Sequence, residues 1–63
     1  MSQTLRVGDI GPAVAQLHHR LQQLGYPVAA EEQKRQFFGP ATREAVQAYQ
    51  RQSGLTVSGE LDE

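Results

Sequence analysis

Apolar side chains recur at Val14, Leu17, Leu21 and Leu24, spacings of three, four and three that lay one narrow stripe along an α-helix. A Gly-Pro-Ala run opens this segment at Gly11. Pro12 suits a first helical position, where its missing N–H has no intrahelical partner to lose, and Gly25 suits the left-handed residue that closes a helix. The pattern predicts a first helix over residues 12–24. A second Gly-Pro-Ala begins at Gly39 and is followed by Ala45, Val46 and Tyr49 and then by Gly54 as a stop, which predicts a second helix over residues 40–53. The two openings lie 28 residues apart, but the residues after them do not match further, so a solenoid repeat is not indicated. Two similarly capped helices are expected to face each other.

The remaining segments read as connections. Pro27 restricts Tyr26 to extended geometry, and the polar stretch from Ala29 to Gln36 has room for one short helical turn. Of the neighbours Phe37 and Phe38, the second is expected to be buried and the first partly exposed. Leu5 to Asp9 and Leu55 to Gly59 alternate apolar and polar residues, so they are expected either to pair briefly or to lie on the helices. Leu61-Asp62-Glu63 has the acidic character of a helix N-terminus. The expected class is a small all-α domain with a core of Val14, Leu17, Leu21, Leu24, Phe38, Val46, Tyr49 and Leu55. Asp9, Gly11, Gly39, Thr42 and Gly54 are assigned to turns and helix ends, where they serve backbone geometry.

Length limits what this pattern can build. A chain of 63 residues forms one domain and buries roughly 60% of its unfolded surface, which leaves stability marginal. Self-association or neighbouring sequence would therefore matter. Six Lys and Arg against seven Asp and Glu give a net charge of −1, with the charges scattered, so there is no field to draw nucleic acid. The absence of cysteine removes both a disulfide framework and thiolate metal sites. No apolar run is long enough to span a membrane, and Met1-Ser2-Gln3-Thr4 lacks the basic and apolar regions of a signal peptide.

Leu5-Arg6-Val7-Gly8-Asp9-Ile10-Gly11-Pro12-Ala13-Val14, followed by Leu17, Leu21 and Leu24-Gly25-Tyr26, resembles the opening of the small three-helix peptidoglycan-binding domain family. Phe38-Gly39-Pro40-Ala41-Thr42, Ala45-Val46, Tyr49-Gln50, Gly54-Leu55 and Gly59 resemble its second half. The resemblance departs at His18, where the family usually has Gln, at Ser58 before Gly59, where Asp is usual, and along Ala29 to Phe37. The end of the chain also looks like the matching part of matrix metalloproteinase prodomains, without their cysteine switch. The resemblance implies the three-helix fold with its third helix largely absent here. It further implies a non-catalytic module that targets bacterial peptidoglycan, excised from a larger protein of the cell envelope or extracellular space whose other domain is catalytic or an effector. The alternative is a structural, interaction or prodomain-like module of a larger secreted toxin or enzyme.

A glycan strand with peptide stems needs aromatic faces for stacking and polar groups along a groove. The candidates are Tyr26 and Phe37, with Arg43, Gln47 and Gln50 spaced four and three apart along one side of the second helix. Arg43 has the planar fork that pairs with a carboxylate. Each candidate has a plainer reading, with Tyr49 in the core and the polar row as solvated surface. His18 and His19 diverge by about 100° on a helix and lack a spaced third ligand, so no metal and no cofactor is expected. His18 is placed at the core edge beside Val14 and Leu21, and His19 in water. No spacing marks a nucleophile turn or an oxyanion hole.

Overall fold

Five short elements follow one another in the computed structural model, which describes residues 4–62: β1 (Thr4–Leu5), α1 (Pro12–Gln23), α2 (Ala30–Arg35), α3 (Pro40–Gln52) and β2 (Leu61–Asp62). Met1 to Gln3 and Glu63, which enter the readings of both chain ends, lie outside the described residues. The protein is a small helical domain. α1 and α3 are the two long helices, and both start at the proline of a Gly-Pro-Ala run.

Both long helices end as their glycines predict. After α1, Tyr26 N–H donates to the Leu21 carbonyl at 2.8 Å and Gly25 N–H to that of Gln22 at 3.1 Å, with Gly25 at φ 90°. After α3, Leu55 N–H reaches the Gln50 carbonyl at 2.8 Å and Gly54 N–H that of Arg51 at 3.3 Å. This paired pattern satisfies two of the carbonyls a helix end leaves open. α2 ends the same way, with Phe37 N–H on the Glu32 carbonyl at 2.9 Å and Gln36 N–H on that of Gln33 at 3.1 Å. There the left-handed position belongs to Gln36, at φ 53°.

The core lies between α1 and α3. Leu5, Val14, Leu17, Leu21, Val28, Phe38, Ala45 and Val46 are buried, and Ala13, Tyr26, Tyr49 and Leu61 are half-buried against them. Tyr49 meets Tyr26 edge to face, ring centres 6.1 Å apart. Phe37 is half-buried beside the fully buried Phe38. Two expected core residues are exposed instead. Leu24 continues the α1 stripe but is 51% exposed, because it caps the helix end, where no other element covers the stripe. Leu55 is 50% exposed, since the turn at Gly54 carries it off α3 after its N–H has bonded back to Gln50.

The connecting segments fix the helix starts. Residues 8–11 run beside 36–38: Gly8 N–H donates to the Phe38 carbonyl, Phe38 N–H to that of Asp9, and Gly11 N–H to that of Gln36, all at 2.9–3.0 Å. The Asp9 carboxylate accepts from Arg6 N–H at 3.0 Å and closes the preceding turn. The expected helical start at Leu61 is instead strand. Leu61 pairs antiparallel with Leu5 and Asp62 with Thr4, because Leu5 and Leu61 both have core to cover and their backbones satisfy each other. Among the described residues the Leu55–Gly59 run takes no part in the sheet, and Leu55 and Val57 stay exposed.

Candidate functional site

Polar side chains collect at the start of α3. Neither Gly39 nor any other residue of α3 caps its N-terminus with a side chain, and that task falls to Glu32 on α2. One carboxylate oxygen accepts from Gly39 N–H at 3.1 Å, Thr42 N–H at 2.8 Å and the Thr42 hydroxyl at 2.6 Å; the other accepts from Ala41 N–H at 2.8 Å. An anion at this place meets several unpaired N–H groups and the positive end of the helix dipole. Burial alone would raise the Glu32 pKa. The bonds from the Thr42 hydroxyl and from the Ala41, Thr42 and Gly39 N–H groups outweigh it and hold the carboxyl below its ordinary 4.5.

This contact explains Gly39. A Cβ there would stand 2.7 Å from a Glu32 carboxylate oxygen and 2.8 Å from the Phe37 ring, although the backbone at Gly39 is ordinary extended chain. Thr42, expected to bond its own helix start, instead links two other residues. Its hydroxyl lies 2.8 Å from His18 Nε2 on α1 as well as on Glu32 of α2. His18 is buried, in keeping with a place at the core, and its polar neighbour is Thr42.

The five candidate ligand residues have four different settings. Tyr26 is half-buried and engaged with Tyr49, and Phe37 lies in a single backbone bridge with Ile10, its ring against Gly39. Arg43 and Gln47 flank Gly59, whose added Cβ would be 3.0 Å from Arg43 and 3.4 Å from Gln47. The backbone of Gly59 is left-handed at φ 80°, so both space and conformation call for glycine there. Arg43 is exposed, and among the described residues the one ion pair joins Arg35 and Glu31, leaving Arg43 without an acidic partner.

Gln50 is not part of an exposed row. It is 4% exposed, accepts from Ser58 and Gly59 N–H at 3.0 Å each, and donates to the Glu60 carbonyl at 2.7 Å. Its amide holds the Ser58–Glu60 turn on α3, which covers the face that helical spacing assigned to solvent. A separate concavity, about 410 Å³, opens along α1 between Ala13 and Leu24 and is closed by Tyr49 and Leu61, with the exposed Gln16 and Arg20 as its polar members. Helical spacing alone placed Leu24 inside the core and so hid this cleft.

Among the described residues no group of His, Cys, Asp and Glu is arranged to hold a metal ion, and no helix is long and apolar enough to cross a membrane. Fold and site together define a small helical module whose two long helices are joined at one end by a buried polar contact. Residues 10–63 match the family described as "Putative peptidoglycan binding domain". The chain belongs to this peptidoglycan-binding domain family. Searches of curated proteins and of solved structures give no significant match.

Proposed function

We propose that this domain is a non-catalytic module that binds bacterial cell-wall peptidoglycan and holds a catalytic or effector domain of the same parent chain at the wall, in the envelope or outside the cell. The observation that carries this reading is the family match along residues 10–63. The proposed contact surface is the Arg43–Gln47 side of α3 beside Gly59. Arg43 is exposed and has no acidic partner among the described residues, so its guanidinium is open to a carboxylate of a peptide stem, while Gln47 offers an amide one turn away. Tyr26 and Phe37 supply half-buried aromatic edges in other settings. Gln50 drops out of the surface because its amide is fully used inside the fold.

The test is co-sedimentation of the folded domain with insoluble peptidoglycan sacculi across a salt series. Retention of the wild type at moderate salt is expected, with retention reduced for Arg43→Ala combined with Gln47→Ala while the helical circular-dichroism spectrum stays intact. Retention unchanged by the double substitution would remove this surface. No retention of a folded wild type would leave the interaction-module or prodomain-like reading in its place.

A further inference from the structure

The buried member of the histidine pair has no part in wall binding as proposed. His18 is 3% exposed, and its Nε2 faces the Thr42 hydroxyl at 2.8 Å. That hydroxyl donates its single proton to Glu32 at 2.6 Å, so toward His18 it accepts, and the imidazole is the Nε2–H tautomer. Nδ1 is then a bare nitrogen, buried and without a hydrogen-bond partner. A neutral ring tolerates this, whereas an imidazolium carries a second N–H that needs an acceptor.

The groups facing the ring come from each element packed on it. α2 contributes the Glu32 charge, the segment before α3 contributes the Phe37 backbone, and α3 contributes the uncharged Thr42 hydroxyl. Burial disfavours a proton on His18; the Glu32 charge and the Phe37 backbone favour one but do not outweigh it. His18, Thr42 and Glu32 join all three helices, and α2, which buries none of its own residues, is held by the Glu32 contact together with the Gln33 amide, which donates to the Val28 carbonyl at 2.6 Å.

We propose that His18–Thr42–Glu32 is an acid-released catch: the three helices stay docked while His18 is neutral, and one proton on its imidazole loosens the joint while the carboxylates are still ionised. This inference is independent of what the domain binds. Because the folded state takes up that proton less readily than the unfolded chain, stability is full above the ordinary histidine value of 6.5 and declines as pH falls below it. The contribution of Glu32 begins to decline only as pH falls toward and below 4.5, so the His18 decline starts at higher pH.

The experiment compares urea unfolding of the wild type and His18→Gln between about pH 7.5 and about pH 5. Gln keeps an N–H for Thr42 and has no proton to gain. The wild-type midpoint is expected to fall through this range and that of His18→Gln to stay level, with the His18 ring resonances of the wild type titrating below 6.5. Midpoints that fall in parallel would overturn the proposal. Should His18→Gln not fold, the ring titration of the wild type decides alone, and a His18 midpoint at or above 6.5 would overturn it.

Discussion

Single residues in this domain are held by demands that side-chain type alone does not display. Gln36 occupies the left-handed position that Gly25 and Gly54 fill at the other two helix ends, and its exposed side chain makes no hydrogen bond that would compensate. A non-glycine residue in that region carries about 1–2 kcal/mol of strain, part of which glycine returns as flexibility of the unfolded chain. Gln36→Gly is therefore expected to stabilise the fold by about 0.5–1 kcal/mol, read as a higher urea midpoint with unchanged slope. Gln50 shows why part of the candidate site was not legible. Helical spacing correctly sets it beside Arg43 and Gln47, but spacing along one helix says nothing about a turn arriving from eight to ten residues further on.

At the scale of elements, the long helices were readable because their signals are local. Proline at the start, glycine after the end and a stripe between them all lie within the helix they define. α2 gave only a polar stretch with room for a turn, since its anchor is a carboxylate that caps another helix seven to ten residues away, beyond the reach of a local capping pattern. The end of the α1 stripe failed at Leu24 for a related reason: periodicity shows which face is apolar, not how far the covering partner extends. Glu32→Gln is expected to destabilise the domain by about 1–3 kcal/mol, because an amide offers one acceptor where two oxygens now serve four donors. Glu32 is held below 4.5 in the folded state, so its stabilisation is present above that pH and lost as pH falls through it. The substitution should flatten the loss of stability in that acid window.

At the scale of the whole molecule, the eight buried apolar residues among those described make a small core that leaves little reserve. Phe38 is the largest of the fully buried side chains and joins the backbone pairing of residues 8–11 to both helices. Phe38→Ala is expected to cost about 3–5 kcal/mol, enough to abolish the cooperative thermal transition seen by circular dichroism in a domain of this size. The pairing of Thr4 with Asp62 bears on how such a domain sits within a longer polypeptide. A chain that enters at one of these residues leaves at the other about 5 Å away. Set within a longer polypeptide, the domain would hang as a side branch: it would project as much as 29 Å yet add almost nothing to the separation of flanking sequences. A host loop that can hold a tight turn can hold this whole domain without its own framework having to move.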